Sequence, residues 1–323
     1  MGSRTYVGAE PLVTTIKECF LENQFTVLQE GALTPLEVVA AALAEDTFLS
    51  DVTAEQIELY FGLKQIDPNF NKSFYIAAKA QGVFSGKRWI ELLSQSTESE
   101  IQLLVEEGEE IYPGKTLLQG RASWKLILAL ERTLLNGLQV FSGIATDSRL
   151  YVNALRNQWE KLGHSKESCP KLYHTRKIAP LIRDFVLDAV LAGGVFLHRK
   201  NLSDRVLVKE NHKYLLKEKN IEYADFAKFV VSLRKNALFE VENLTEALSL
   251  TEVGVKFLML DNFTPDQVRE AVASLPKDVE IEISGGLNLQ NLSSYLVPGL
   301  QRISIGAVTH SYKALDMSLD WSL

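Results

Sequence analysis

The sequence predicts an α/β protein in two parts: an irregular α+β first half, then repeated strand–helix units that build a parallel barrel or sheet. Three observations carry this. Beyond Asn236, short β-rich runs stop at polar or glycine residues, and the stops recur at intervals of roughly 20 residues, the length of one strand–helix unit. The first half has no such period, and its strand-like segments are broken by Glu107-Gly108, Pro113-Gly114 and Gly120. At 323 residues, 46% apolar and 23% charged, the chain is long enough for two domains or for one large α/β domain with an appendage.

Up to about Gly31 the pattern is weak, and a leading helix or arm is expected. Thr34-Pro35 is a helix start, followed by Leu36, Val38, Val39, Ala42 and Leu43 at helical spacing. AEDTFLSDVT is an acidic, cap-rich link to a second short helix. KSFYIAAKAQGVFSG reads as a strand entering a glycine turn, RWIELLSQS as a helix, and EIQLLVEEGEEIYPGKTLLQGRAS as broken strands. Trp124 to Asn157 reads as a long helical stretch with an interruption at Ser142-Gly143. Arg132, a charge on an apolar stretch, is either paired with Glu131 or Asp147 in a helix bundle or delivered to a pocket; both readings stand on the residues alone.

In the periodic half, NALFEVEN, VKFLMLDN, DVEIEISGG and LQRISIGAVTH are the strands. LTEALSLTEVG, FTPDQVREAVASL and LNLQNLSSYLVPG are the helices between them. The strands end at Glu240 with Glu242, at Asp261 with Asn262, at Ser284-Gly285-Gly286, and at Gly306. In parallel α/β folds the C-terminal strand ends share one face, where the active site lies, so these residues are expected at one mouth.

Between the halves, His174 to His212 holds two clusters of positive charge: His174, Arg176 and Lys177, then His198, Arg199 and Lys209. An apolar segment separates them, read as a helix of about four turns with Pro180 in its first turn and Gly193-Gly194 at its end. Such residues often only suit helix ends and solvent. Together with the strand ends they instead describe a pocket for small polyanions. Gly285, Gly286 and Gly306 expose backbone N–H groups suited to a phosphate, and Glu240 and Asp261 suit ribose hydroxyls or Mg²⁺. The implied ligands are a phosphorylated sugar and a second acidic molecule. Neither GxGxxG nor GxxxxGK[ST] is present.

Composition excludes several classes. A net charge of −7 argues against a general nucleic-acid binder. Two cysteines, Cys19 and Cys169, are too few for a disulfide framework or a cysteine-based metal site, and a reducing, cytoplasmic setting is expected. No run reaches the roughly 18 apolar residues of a membrane span. The opening MGSRTYVGAEPL lacks a signal-peptide core and a myristoylation pattern. His164, His174 and His212 have no metal-ligand spacing.

An ordered series of motifs runs from about Pro35 to the C-terminus. It comprises ERTLLN with SGIAT at 131–146, TRK at 175–177, LAGG and HR within 191–199, and LVKENH at 207–212. It continues with EVENL at 240–244, LDNF at 260–263, SGGLN at 284–288 and IGAVTHS at 305–311. The chain thereby resembles the quinolinate phosphoribosyltransferases, decarboxylating pentosyltransferases of NAD biosynthesis. That resemblance implies an N-terminal α/β sandwich domain, here 1–128, and an incomplete α/β barrel of fewer than eight strands, here 129–323. It also implies a homodimer or larger assembly in which Arg132 enters the neighbour's active site. Quinolinate would bind Arg132, Arg176, His198, Arg199 and Lys209. Ser284, Gly285, Gly286, Gly306 and His310 would hold the phosphate, with Glu240 and Asp261 on the ribose or on the waters of Mg²⁺. Lys177, Lys209, Glu240 and Asp261 would be the catalytic set.

The chain departs from that family at His174 (commonly Asp), at Leu197 (commonly Asn) and at Leu181-Ile182 (commonly Gly-Leu). LAGG and the Leu-Ser pair at 202–203 are similar to a paralogue associated with molybdenum transport that acts on another base, but Arg132 and Lys209 match the quinolinate enzymes. With His174 replacing an aspartate, anion binding is expected to be kept or strengthened, with pH sensitivity near the ordinary histidine value of about 6.5.

Overall fold

The computed structural model describes residues 33–47, 51–97 and 99–322. The leading stretch to Gly31 and Cys19 lie outside them. Helix α1 (Pro35–Thr47) begins with a reciprocal cap: Glu37 N donates to Thr34 Oγ1 at 3.3 Å, and Thr34 N donates to Glu37 Oε2 at 2.7 Å. It buries Val38 and Val39 as its spacing predicts, while Leu36 stays exposed. Helix α2 (Val52–Leu63) starts at Asp51, which accepts from Thr53 N and Ala54 N, both at 3.0 Å. Then come β1 (Asn71–Ala78), β2 (Gly82–Val83), α3 (Lys87–Ser96), β3 (Glu100–Leu103), β4 (Glu110–Ile111) and β5 (Thr116–Ser123).

Helix α4 (Trp124–Lys161) follows as one unbroken element of 38 residues, about 57 Å long. The expected interruption at Ser142-Gly143 does not occur. Both residues are buried, and each has a packing reason to be there. Ser142 Oγ donates to Ser85 O at 3.0 Å and accepts from Ser85 N at 3.1 Å. A Cβ at Gly143 would stand 2.3 Å from Lys313 O, so the glycine admits the segment that leads to the last strand.

The remaining elements are β6 (Lys171–Tyr173), α5 (Arg183–Ala192), β7 (Leu207–Val208), α6 (Glu210–Glu218), α7 (Tyr223–Leu233), β8 (Leu238–Val241) and α8 (Leu244–Glu252). After them run β9 (Phe257–Asp261), α9 (Pro265–Ser274), β10 (Glu280–Ser284), β11 (Arg302–Ser304), α10 (Ala307–His310) and β12 (Met317–Trp321). Two expectations need correction. Helix α5 has ten residues and begins at Arg183, not at Pro180. Leu181 is left-handed (φ 70°) and Ile182 N closes a tight turn onto Pro180 O at 2.9 Å, which no α-helix tolerates. LNLQNLSSYLVPG is not a helix but a single 3-10 turn, Leu292–Tyr295. There Asn288 Oδ1 accepts from Gln290 N and Asn291 N, and Asn291 Nδ2 donates to Gly286 O, so side chains take the bonds a helix would use.

Two main sheets result. The first is antiparallel in the order β12-β1-β5-β3, so the last strand of the chain returns to pair with the first. The second has six strands in the order β6-β11-β10-β9-β8-β7, every pair parallel, and is the incomplete α/β barrel. Its strands are buried on both faces. Phe239, Val241, Leu258, Leu260, Ile281 and Ile283 join the main core. Their alternates Leu207, Leu238 and Met259, with Phe257 against them, form a small separate cluster. Two residues beyond each of those three, on the same face, stand Lys209, Glu240 and Asp261. Strand alternation therefore aims the predicted site residues into the barrel mouth.

Candidate active site

The mouth of the barrel is a cleft of about 750 Å³. Every residue expected in the site lines it except Arg132. From β6 onward come Arg176 and Lys177; from the loop after α5, His198 and Arg199; from β7, Lys209. Glu240 is the penultimate residue of β8, Asp261 ends β9, Ser284 to Gly286 leave β10, and Gly306 with His310 follow β11.

The carboxylate wall is pre-formed. Glu240, 5% exposed, accepts from Lys209 Nζ on Oε2 at 2.9 Å and from Glu210 N on Oε1 at 3.2 Å. Lys209 is itself held at the start of α6, where its backbone N–H donates to His212 Nδ1 at 2.9 Å. Asp261 accepts from Asn262 Nδ2 at 2.7 Å. Burial and then the Glu240 charge push the Asp261 carboxyl above its ordinary range, against the pull of Lys209 and Lys177.

The phosphate cradle depends on backbone shape. Gly285 (φ 99°) and Gly286 (φ 61°) are both left-handed. A Cβ on Gly285 would strike Asn262, 2.9 Å from its backbone N, whereas one on Gly286 would meet nothing within 4 Å. Gly306 has His310 Nε2 at 2.9 Å and Thr175 Oγ1 at 3.3 Å from the corresponding position, so cradle and side chains close on one another.

The same cleft carries the cationic wall. Arg199, 8% exposed, donates to Arg205 O at 3.4 Å, and burial followed by the Arg176 charge lowers its guanidinium from the ordinary value. Arg176 Nε is buried with no hydrogen-bond partner among the described residues. Such donors ask for an anion. His174 is fully buried, and its Nδ1 accepts from the His198 backbone N–H at 2.9 Å. Burial, opposed by a backbone hydrogen bond but joined by the charges of His198 and Arg183, pushes the His174 ring down to about 4. This corrects the expectation of a titration near 6.5: the residue is a neutral hydrogen-bonding part of the site wall.

Arg132 lies on α4, with its side chain 66% exposed and paired to Glu131 at 3.5 Å, outside the cleft of its own chain. Sequence reasoning missed Glu282, a buried carboxylate on β10 whose Oε1 lies 3.1 Å from His198 Nε2. The alternation in EIEIS, which puts Glu280, Glu282 and Ser284 on one face, was the available signal.

Two family profiles cover this chain. The quinolinate phosphoribosyl transferase N-terminal domain matches residues 51–142, and the quinolinate phosphoribosyl transferase C-terminal domain matches residues 144–320. The chain belongs to the quinolinate phosphoribosyltransferase family. Among its relatives, it is 32% identical to a probable nicotinate-nucleotide pyrophosphorylase (carboxylating) of Methanocaldococcus jannaschii, over 88% of this chain and 96% of that one. It is 31% identical to the nicotinate-nucleotide pyrophosphorylase (carboxylating) of Rattus norvegicus, over 75% and 79% of the two chains. The crystal structure of NadC from Streptococcus pyogenes superposes with a TM-score of 0.75 at 29% identity, covering 90% of this chain and 99% of that one.

Proposed function

We propose that this member of the family is a quinolinate phosphoribosyltransferase. It converts quinolinate and phosphoribosyl pyrophosphate to nicotinate mononucleotide, CO₂ and pyrophosphate, in NAD biosynthesis. The observation that carries the reading is the division of one cleft into a wall of arginines, a carboxylate pair and a glycine phosphate cradle. A dicarboxylate needs more than one cationic anchor, and Arg176, Arg199 and His198 supply them with planar, charge-assisted geometry. The 5-phosphate fits Gly285, Gly286 and Gly306, with His310 beside them. Glu240 and Asp261 bind the ribose hydroxyls and stabilise the positive charge that develops at the ribosyl centre. Lys177 and Lys209 stand between the quinolinate carboxylates and the departing pyrophosphate. No side chain acts as a nucleophile. After transfer, the same cations stabilise the ring carbanion left by loss of CO₂.

Mg²⁺ suits this chemistry. Glu240 and Asp261 are hard oxygen donors, and the upward push on Asp261 from Glu240 is relieved by a cation between them. When bound, the ion would neutralise charge that gathers on the departing pyrophosphate, and Glu240 and Asp261 would hold it through its waters. Glu240 is already engaged by Lys209 and the α6 backbone, which favours this indirect mode over a closed protein cage.

We propose that the working unit is a cytoplasmic homodimer or a larger assembly of such pairs. The exposed Arg132 of each chain completes the quinolinate site of its neighbour.

The test is mass detection of nicotinate mononucleotide after incubation with phosphoribosyl pyrophosphate, Mg²⁺ and quinolinate, nicotinate or nicotinamide separately. Product is expected from quinolinate alone. A monocarboxylate leaves a buried guanidinium unpaired, at about 1–3 kcal/mol, or roughly tenfold or more in selectivity. Equal turnover of nicotinate refutes the assignment.

A further inference from the structure

Beneath the cleft floor, Glu282 is a carboxylate with no exposed surface, held from three sides. Arg302 Nε donates to Oε2 at 2.8 Å, Ser304 Oγ donates to Oε1 at 2.5 Å, and His198 Nε2 stands 3.1 Å from Oε1. Burial pushes this carboxyl up, but His198, Arg302 and Ser304 outweigh it and hold it below the ordinary range. Glu282 is therefore an anion at neutral pH. The nitrogen facing it must carry a hydrogen, because a bare imidazole nitrogen against a carboxylate is repulsive. His198 is clamped from its backbone as well, through the bond from its N–H to His174 Nδ1. With Nε2 facing the Glu282 carboxylate at 3.1 Å and His198 lining the cleft, Nδ1 is the ring nitrogen left to a ligand there. In the neutral ring Nδ1 is a bare acceptor and repels a substrate carboxylate; in the imidazolium it is a donor and binds one.

We propose that Glu282 is a positioning residue, which turns His198 Nδ1 toward the cleft and favours its imidazolium, so that quinolinate binds together with one proton. This rests on the quinolinate reading and deepens it. One Nδ1–H bond forms with a proton taken from solvent, and no other bond changes. The surrounding charges set the balance. Tyr173 meets the His198 ring edge-on at 6.3 Å, and His174 is neutral. Arg176 and Arg199 share the cleft wall with His198 and oppose a third cation there until the dianion arrives. Behind Glu282 stand Arg302, bonded also to Glu280, and the half-buried Arg205, which feels both carboxylates. Glu282 is the anion in direct contact with the ring among the described residues.

Quinolinate binding to the full-length protein, followed by calorimetry from pH 6.5 to 8.5 in two buffers of different ionisation heat, reads this directly. Wild-type protein is expected to take up close to one proton per ligand at the alkaline end, where affinity falls about tenfold per pH unit. Glu282→Gln keeps an acceptor for Nε2–H but removes the charge. It should move the onset of that fall to lower pH by about one unit and weaken quinolinate about tenfold at pH 8, leaving phosphoribosyl pyrophosphate affinity unchanged. A merely structural glutamate would change affinity without moving the pH profile, and an unmoved profile in this variant overturns the inference. If Glu282→Gln does not fold, nitrogen NMR of histidine-labelled wild-type protein decides, with His198 assigned through His198→Asn. An imidazolium in the quinolinate complex supports the proposal, and a neutral ring overturns it. Wild-type protein that binds no quinolinate overturns the functional reading and this inference with it, whereas binding without proton uptake overturns the inference alone.

Discussion

Replacing Gly285 by alanine tests whether the cradle after β10 is shaped by glycine or merely tolerates it. The backbone there lies at φ 99°, where an L side chain costs about 1–3 kcal/mol. The new Cβ would stand 2.1 Å from Asn262 Oδ1 and 2.9 Å from Asn262 N. The side chain can swing away, but it then gives up its bond to Asp261, worth about 1 kcal/mol; the backbone contact requires the two loops to part by a few tenths of an ångström. The sum is about 3 kcal/mol, a fall in Tm of roughly 6–12 °C for a barrel of this size. Gly286→Ala is the internal control. It shares a left-handed backbone (φ 61°) but meets nothing within 4 Å, so only the conformational cost of about 1 kcal/mol applies. Thermal melts of both variants read stability, and steady-state kinetics read KM for phosphoribosyl pyrophosphate. That KM should rise about tenfold or more in Gly285→Ala, because the phosphate ligands move with the loop. Equal or reversed losses in the two variants would show that the contact with Asn262 does not shape the cradle.

Three further outcomes are expected. Arg132→Ala and Lys209→Ala should each be inactive alone, yet regain activity when mixed and allowed to exchange subunits, since one site in each mixed dimer is then intact; a mixture no better than its parents contradicts the shared site. Asp261 is held above its ordinary range, so its effect on stability is favourable at acid pH and is lost as pH rises through the raised value; Asp261→Asn should therefore raise Tm at pH 7 relative to pH 4 while abolishing turnover, read by melts at both pH values. His174 is depressed from 6.5 to about 4, so its contribution is present above pH 6.5 and lost as pH falls toward 4, by about 3 kcal/mol. His174→Asn should flatten the urea stability profile across that window, and an unchanged slope counts against a buried neutral ring.

Much of the site was legible because strand alternation and parallel topology are local rules with a global consequence. Glu240, Asp261, Ser284 and Gly306 each end a short β-rich run, and parallel strands must bring such ends to one mouth. The two basic clusters were visible as charge, and they line the same cleft because α5 returns the chain between them. The errors arose where a neighbour decides conformation. Gly143 looks like a helix breaker until the chain at Lys313 is seen pressed against it, and the asparagines of 288–291 look helical until their side chains take the backbone bonds.

The sequence by itself determined the fold class, the successive strands β8 to β11 and the chemical types gathered at the mouth, because period and charge act over a few residues. Only the tertiary structure decided the protonation of His174 and the partner of His198. A histidine's charge depends on how much water and which counter-charges surround it, and those are supplied by segments far apart in the chain. Burial by neighbouring segments keeps His174 neutral. The pairing of β10 with β11 places Glu282 beside Arg302, and folding brings that carboxylate against His198, 84 positions earlier in the sequence.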